Sequence, residues 1–152
     1  MTLVFKRETY NDLVEDIKPL LIKHHKELAL YQDSIPLNPN WDFYQKIDEL
    51  GMIIAISART VEGILKGYAV YISKEHPHYQ RHCWGLSDLF WLDPDERNLG
   101  NGRNLFLTVE DELKKIGVSV MHTTLKVAHP VARYLLESMG HVLVEYGMSK
   151  KL

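Results

Sequence analysis

The fold is decided by Asp88-Leu-Phe-Trp-Leu-Asp-Pro-Asp-Glu-Arg-Asn-Leu-Gly-Asn-Gly-Arg103, a stretch that joins an apolar, strand-like run to a helical pattern through a glycine-containing turn. Glycine has no Cβ atom, so Gly100 and Gly102 would let a ligand approach the backbone closely. The N–H groups of such a turn and of the first helical turn point to one place, where the helix dipole adds positive potential. The pattern indicates an anion-binding turn, to which Arg97 and Arg103 would add charge-assisted hydrogen bonds.

Two common phosphate-binding motifs do not match this turn. Its spacing is not Gly-x-x-x-x-Gly-Lys-Ser/Thr, which excludes a nucleotide P-loop. It also departs from the dinucleotide fingerprint Gly-x-Gly-x-x-Gly, because Asn101, Arg103 and Leu105 stand where further glycines would fall. A strand-to-helix turn that binds no ligand remains an alternative for the turn taken alone.

Apolar periodicity on both sides of the turn predicts a mixed α/β domain built around one sheet. Strands are predicted at residues 3–5, 52–58, 65–73, 84–92, 118–125 and 142–148, and helices at 11–31, 41–50, 105–116 and 129–139. Pro19 would kink the first helix or divide it into two, because proline lacks an N–H group. Asn40 would cap the second helix, and Gly117 and Gly140 would end the last two.

Length and composition favour a single domain, 1–152, which we expect to be cytoplasmic. The net charge is −2, with 18 basic side chains among 20 acidic ones, so no nucleic-acid partner is predicted. Cys83 is the only cysteine, which excludes an intramolecular disulfide bond. Neither a signal peptide nor a membrane-spanning segment is predicted, because no apolar run is long enough.

The stretch Leu92-Asp-Pro94-x-x-Arg97-x-x-Gly100-x-Gly102 resembles the acetyl-CoA pyrophosphate motif of GNAT acyltransferases, Val-x-Pro-x-x-Arg/Gln-x-x-Gly-x-Gly/Ala. Downstream, His129-x-x-Ala132-x-x-Leu135-Leu136-Glu137-x-Met139-Gly140 resembles the family's Asn-x-x-Ala-x-x-Leu-Tyr-Glu-x-x-Gly-Phe. The resemblance is strongest over residues 86–140 and topological before them. It implies a GNAT-like acyl-CoA N-acyltransferase fold, with a mixed sheet of six to seven strands, about four helices, and a splay between the fourth and fifth strands.

The resemblance implies that acetyl-CoA is a co-substrate and lies between the two splayed strands. Backbone groups of Phe90, Trp91 and Leu92 would bind the pantetheine, and one N–H group there would polarise the thioester carbonyl. The residues implied in pyrophosphate binding are Arg97, Asn98, Leu99, Gly100, Asn101, Gly102 and Arg103. His129, where the family has Asn, would reach the cofactor or cap its helix. A primary amine of a small molecule or protein would then attack the thioester directly.

An acceptor amine with a pKa of about 10.4 must lose a proton before it attacks. Asp88 is the predicted general base, because strand alternation would place it on one face with Phe90 and Leu92, beside the thioester. The alternative is that Asp88 only caps a hydrogen-bond network or faces solvent. His122, on the fifth strand, would relay protons, and the competing interpretation is an ordinary buried histidine.

This sequence departs from the family at the general acid, where Leu136 stands in place of the usual tyrosine. Tyr134 lies about 200° away around the helix and does not replace it. A thiol pKa of about 8.5 makes the thiolate a tolerable leaving group, and a missing general acid slows turnover by roughly 10²–10⁴-fold. Catalysis is therefore predicted. A catalytically weak or inactive CoA-binding or regulatory module is the alternative.

The acceptor pocket implied by the resemblance contains Tyr31, Trp41 and Tyr44, although aromatic residues at this spacing also commonly belong to a core. No metal site is predicted, because the histidines at 76, 78 and 82 lie in a polar loop without a completing Cys or carboxylate. The short sequence after Gly140 leaves room for one long strand or for a sheet edge completed by a second subunit. In the second of these arrangements the protein would be a homodimer.

Overall fold

The computed structural model describes residues 2–97 and 100–152 of the chain. The strands within them are β1 (Leu3–Glu8), β2 (Ile53–Thr60), β3 (Leu65–His76), β4 (Tyr79–Leu92) and β5 (Val118–His122). The α-helices are α1 (Tyr10–Leu28), α2 (Trp41–Glu49), α3 (Asn101–Lys115) and α4 (Pro130–Ser138), and a 3₁₀ turn spans Pro94–Glu96. Among the described residues, none of the helices combines the length and the apolar character needed to cross a bilayer.

The strands form one sheet in the order β1-β2-β3-β4-β5. Neighbours are antiparallel as far as β4, whereas β4 and β5 are parallel. The parallel pair has the helical connection that such pairs require, here α3. The mixed α/β sheet is confirmed, but the described residues form five strands instead of the predicted six to seven.

The predicted last strand, 142–148, is irregular in the structure. Its apolar side chains are largely in solvent, with Val142 78% exposed and Val144 72% exposed. Residues of this type favour a strand only where their side chains pack on a neighbouring surface. This segment lacks such packing in the described chain, so the strand prediction was wrong.

Helix α1 is continuous, although Pro19 lies inside it. The Thr9 side chain caps the first turn by accepting a hydrogen bond from the Asp12 N–H. The buried side chains of the helix are Leu13, Ile17, Leu20, Leu21 and His24. Their packing offsets the cost of an interior proline, about 3 kcal/mol, so the division of this segment into two helices does not occur.

The predicted helix boundaries at polar and glycine residues are confirmed. The Asn40 side chain accepts a hydrogen bond from the Phe43 N–H at 3.0 Å and caps α2. Gly117 and Gly140 follow α3 and α4 with φ angles of +79° and +90°. Glycine adopts this left-handed conformation without the strain that a Cβ atom would add.

The sheet buries apolar side chains on both faces. Helices α1 and α2 cover one face, where Tyr68 and Trp91 belong to the core. Helix α3 covers the other face, where Leu92 packs with Leu105 and Val109. Because both faces of β4 are covered at its end, residues 89–92, a ligand can reach the main chain there only along a strand edge.

Candidate functional site

Strands β4 and β5 pair over only part of their length. The pairing ends at Leu86 and His122, whereas β4 continues to Leu92. Just beyond the last pair, Ser87 Oγ accepts a hydrogen bond of 2.8 Å from the Thr124 N–H. In the described chain, the end of β4 therefore borders a gap on this side, as the predicted splay requires.

Along the end of β4, successive residues direct their N–H and C=O groups alternately toward β3 and toward the gap. The Asp93 N–H donates to the Lys66 carbonyl of β3 at 2.7 Å, so the main chain of Trp91, two residues earlier, also faces β3. The main-chain groups of Phe90 and Leu92 therefore point away from β3, toward the gap, where the Leu92 carbonyl accepts a hydrogen bond of 3.0 Å from Arg97 Nε. Two of the three predicted pantetheine-binding residues thus present backbone groups to the gap, and Trp91 does not.

The two glycines of the turn have different structural roles. Gly100 precedes α3 with a φ angle of +72°, and no described atom lies within 4 Å of a Cβ atom built on it. A Cβ atom on Gly102 would lie 3.0 Å from Leu135 Cδ2, so Gly102 allows α4 to approach α3. Asn98 and Leu99, which belong to the predicted pyrophosphate site, lie outside the described residues.

Solved structures of acetyltransferases match the chain over nearly its whole length. One is an aminoglycoside acetyltransferase from an uncultured soil metagenomic sample, with a TM-score of 0.76, 15% identity, and coverage of 99% of this chain and 100% of that chain. Another is the ribosomal-protein-alanine N-acetyltransferase of Brucella melitensis biovar Abortus 2308, with a TM-score of 0.73, 14% identity and 99% coverage of each chain. The chain has the GNAT fold.

A third structure with this fold is glucosamine-6-phosphate N-acetyltransferase from Arabidopsis thaliana, with a TM-score of 0.73, 13% identity and 99% coverage of each chain. No protein-family model and no curated protein sequence matches the chain. At these identities, the likeness to solved structures establishes the fold alone. The chemistry depends on the residues that this fold brings together.

The predicted phosphate-binding side chains point in different directions. Arg97 donates to both carboxylate oxygens of Glu27 in α1, at 2.7 and 2.8 Å. Asn101 is buried, and its Nδ2 donates to the Glu96 carbonyl at 2.9 Å. Arg103 is exposed on the first turn of α3. In these contacts the side chains of Arg97 and Asn101 hold the turn in place, whereas Arg103 is open to solvent. A role of the three residues in pyrophosphate binding stays a prediction.

Glu27 connects several parts of the site and was missed by the sequence analysis. Besides Arg97, its carboxylate accepts a hydrogen bond of 2.8 Å from Trp91 Nε1 and lies 3.8 Å from Nδ1 of His129. The hydrogen bond from Arg97 lowers the pKa of Glu27 to about 2, so the carboxylate is ionised at neutral pH. No local pattern could reveal this residue, because its partners lie 64 and 70 positions away.

Asp88 lies on a different face from the one that strand alternation predicts. Val70 pairs with Leu89 and Tyr71 pairs with Ser87, which leaves Asp88 as the extra residue of a β-bulge. Phe90 packs edge-on against Phe106 of α3, with ring centroids 5.2 Å apart. Asp88 instead accepts a hydrogen bond of 2.8 Å from Tyr44 Oη of α2. The predicted common face for Asp88, Phe90 and Leu92 was therefore wrong, because the bulge reverses the alternation.

The environment of Asp88 favours a carboxyl group that can exchange a proton. The side chain keeps access to solvent, yet nearby atoms displace enough water to raise its pKa above the usual value. The hydrogen bond from Tyr44 lowers the pKa and offsets part of this rise. Burial, together with the contact to Asp88, raises the pKa of Tyr44, so its phenol stays protonated and remains the donor.

The structure brings together two of the three predicted acceptor residues. Trp41 and Tyr44 lie on α2 with ring centroids 6.1 Å apart, and both pack at the margin of the core beneath α1 and α2. Tyr31 lies apart from them, and its hydroxyl group is 3.2 Å from Ser149 Oγ. Trp41 and Tyr44 therefore form one aromatic wall, and Tyr31 contacts the C-terminal segment.

The other predicted residues have partners away from Asp88. His122 Nε2 lies 3.1 Å from Oε1 of Glu145, and its ring stacks on Trp84 at 6.1 Å. His129 precedes α4 without a side-chain capping bond, so its nearest charged partner in the described chain is Glu27. In residues 2–97 and 100–152, no group of three or more His, Cys, Asp or Glu side chains has a metal-binding arrangement.

The position of the missing tyrosine is filled by a core residue. Leu136 is 3% exposed and packs beneath α4. Tyr134 is 68% exposed on the same helix, and Tyr146 is 85% exposed beyond it. The side chain at 136 therefore supplies packing, and any proton for the leaving thiolate has to come from another group or from water.

Proposed function

We propose that this protein is an N-acetyltransferase that transfers the acetyl group of acetyl-CoA to a primary amine by direct attack in a ternary complex. The observation that carries the proposal is the gap beside β4, which ends next to the turn that begins α3. Unpaired main-chain groups at a strand edge bind an extended ligand as an added strand would. The acetyltransferases that share this fold support the same reaction class.

The turn has the properties that a diphosphate requires. The space around Gly100 is open in the described chain, and the free N–H groups of a helix N-terminus favour negative charge. In the proposal, Gly100, Gly102 and the exposed Arg103 bind the pyrophosphate together with Asn98 and Leu99. Phe90 and Leu92 bind the pantetheine through their main chain, and an N–H group there stabilises the oxyanion.

Asp88 is the proposed general base. The acceptor enters as an ammonium ion, because its pKa of about 10.4 lies above neutral pH. Asp88 takes one proton from it, and the free nitrogen lone pair attacks the thioester carbonyl carbon. The attacking nitrogen then carries a surplus proton, which passes to water or to the departing sulfur as the tetrahedral intermediate collapses. When the C–S bond breaks, CoA leaves as thiolate or thiol and needs little acid assistance, since thiols have a pKa of about 8.5. His122 is proposed only as a relay of this proton to solvent.

Release of free CoA in the presence of an amine panel tests this function. Aminoglycosides, polyamines, amino acids, alkylamines and peptide N-termini are mixed with acetyl-CoA and protein, and free thiol and acetylated product are measured together. Transfer to at least one class, with product and thiol in equal amounts, is the expected result. Binding of acetyl-CoA without transfer to any amine would contradict it.

A second candidate function is a CoA-binding module with little or no turnover. The buried Leu136 at the usual tyrosine position favours it, because that site supplies no proton donor. Calorimetry with acetyl-CoA, combined with the same amine panel, separates the two functions. Micromolar binding of acetyl-CoA with product formation no faster than the uncatalysed reaction would favour the module.

Homodimer formation through β5 is also proposed. This strand ends the sheet, so one of its edges has no strand partner in the described chain, and such edges readily pair with another chain. Sedimentation over a range of concentrations tests it, since a dimer gives twice the monomer mass. The substitution Val120→Lys, at an edge residue that is 38% exposed, is expected to shift the protein toward monomer.

A further inference from the structure

An apolar crevice lies between helices α1 and α2 and the strands beneath them. Its described walls are aliphatic and aromatic, with no charged side chain among them. Its deeper walls are core residues such as Ile17 and Ala55, which are 6% and 3% exposed. Val14, Trp41 and Leu89 are only partly buried and border solvent. The crevice is therefore narrow and opens at the surface along these three side chains.

The crevice opens beside the carboxylate of Asp88. Tyr44 lines the crevice and donates its hydroxyl hydrogen bond to Asp88 at 2.8 Å. Leu89, the residue after Asp88, also lines it. The bulge at Asp88 is what turns its carboxylate to the same side of the sheet as the crevice. One negative charge thus lies at the end of an otherwise apolar surface.

We propose that the acceptor is a primary amine that bears a compact, uncharged apolar group, with this group in the crevice and the ammonium group at Asp88. This inference rests on the proposed acetyltransferase function and specifies its substrate class. Charge complementarity places the ammonium ion at the carboxylate, and the apolar walls select what is attached to it. The narrow crevice suits a short alkyl chain or a single ring.

The same geometry discriminates against acceptors with a second positive charge. Each methylene group moved from water into an apolar site improves binding roughly fourfold. A second ammonium group in the crevice would lose its hydration without a carboxylate to replace it. A diamine or a polycationic amino sugar therefore has to leave the crevice empty or desolvate a charge.

A pair of amines with the same number of non-hydrogen atoms tests the inference. Pentylamine ends in a methyl group where 1,4-diaminobutane has its second ammonium group. The value of kcat/KM for acetyl transfer is expected to be at least tenfold higher for pentylamine. Equal values, or a preference for the diamine, would overturn the inference while leaving the acetyltransferase function intact. If no amine of the wider panel releases CoA, the function itself fails, and the inference fails with it.

A charge placed in the crevice supplies the matching test on the protein. Val14→Glu introduces a carboxylate at a partly buried crevice residue and is expected to reverse the preference in favour of 1,4-diaminobutane. Ile22→Glu makes the same kind of change on α1 at a residue that is 53% exposed, and should keep the wild-type preference. If Val14→Glu does not fold, the isosteric Val14→Thr is used, with a severalfold loss of the preference for pentylamine expected. An unchanged preference in the folded variant would overturn the inference.

Discussion

At the scale of single residues, the contact between Tyr44 and Asp88 defines the proposed chemistry. The phenol donates to the carboxylate at 2.8 Å, and loss of hydration raises the carboxyl pKa. A base is most useful when its pKa approaches the working pH, so this environment is suited to accepting a proton. Both residues were identified in the sequence, but their contact was not, because it depends on the bulge in β4.

Replacement of the proposed base should slow the reaction without weakening cofactor binding. Asp88→Asn removes the proton acceptor and is expected to lower kcat by roughly 10²–10⁴-fold, the usual contribution of general base catalysis. Stopped assays of CoA release measure kcat, and calorimetry measures acetyl-CoA affinity, which should be unchanged. Asp111→Asn, at an exposed position of α3, is the control. A wild-type kcat in Asp88→Asn would remove Asp88 from the mechanism.

Loss of the Tyr44 hydroxyl group should move the pH profile in a defined direction. The hydrogen bond from Tyr44 lowers the pKa of Asp88, so Tyr44→Phe should raise that pKa further. Since the base must be deprotonated to act, the fall of kcat/KM in acid should occur at a higher pH in the variant. At high pH, where the base is deprotonated in both proteins, their values of kcat/KM should differ less. A profile of activity against pH for both proteins checks this. A shift of this fall in kcat/KM to lower pH would show that the titration of another group causes it.

At the scale of elements, the turn before α3 and the end of α1 are joined by the ion pair of Glu27 with Arg97. This pair links the helix that borders the acceptor crevice to the turn that is proposed to bind the diphosphate. The additional contact from Trp91 extends the link to β4. The arrangement of the two proposed substrate sites therefore depends on one carboxylate.

A side chain at Gly100 should prevent acetyl-CoA binding while leaving the fold intact. Gly100→Glu would occupy the open space of the turn with a like charge, and its positive φ angle adds a strain of about 1–2 kcal/mol. Gly117→Glu has a similar φ angle, equally open surroundings and lies at the other end of the same helix. Calorimetry should show no acetyl-CoA binding for the first variant and wild-type binding for the second. Retained affinity in Gly100→Glu would refute the diphosphate assignment.

Neutralising Glu27 should weaken both stability and acetyl-CoA affinity. Glu27→Gln loses a charge-assisted contact worth about 1.5–3 kcal/mol and releases the side chain of Arg97 from α1, so that the turn is held less firmly. Because the pKa of Glu27 is lowered from 4.5 to about 2, this stabilisation is complete above pH 4.5 and is lost as the pH falls toward 2. Urea unfolding at pH 7 and at pH 3 measures the change.

The matched control for this variant is Glu15→Gln, which removes an exposed carboxylate from the same helix. This control variant should leave the KM for acetyl-CoA unchanged. It should change the free energy of unfolding by no more than about 0.5 kcal/mol. A raised KM in Glu27→Gln alone would support the link between α1 and the turn. The same KM for acetyl-CoA in the two variants would exclude a link between α1 and the turn.

At the scale of the whole molecule, local patterns predicted the elements, and long-range contacts determined the site. The glycine turn, the caps and the order of elements were all visible in the sequence, because each depends on neighbouring residues. The bulge at Asp88 and the Glu27 ion pair were not, since both depend on chain segments far apart in sequence. The predicted strand at 142–148 was wrong for a related reason, because apolar alternation does not specify a partner.

The stability of the whole fold should depend on the ion pair between Glu8 of β1 and Arg59 of β2. Glu8 and Arg59 have side chains only 5% and 11% exposed and are 2.8 Å apart. Burial acts to raise the pKa of Glu8, but hydrogen bonds from Arg59 and Ser57 outweigh it and lower the pKa to about 2. Glu8→Gln would leave Arg59 with Asp16, at 2.6 Å, as its remaining carboxylate partner among the described residues. The loss of the charge-assisted contact with Glu8 should reduce the free energy of unfolding by about 1.5–3 kcal/mol at pH 7.

Chemical denaturation checks this value, with the exposed Glu62→Gln as the control. The sign of the pH effect follows from the lowered pKa of Glu8. Its contribution is present above pH 4.5 and declines as the pH falls toward 2, so the difference between wild type and variant should shrink in acid. A difference that grows in acid would contradict the assignment.

The extra residue of β4 has a consequence for how this protein could diverge. Position 88 stands outside the ladder with β3, so its side chain can change without altering the register of the residues around it. Descendants of this sequence could exchange the carboxylate for another group, or lose it, and retain the same architecture. Sequence drift at this one site could therefore separate lineages by reaction while their folds stay superimposable.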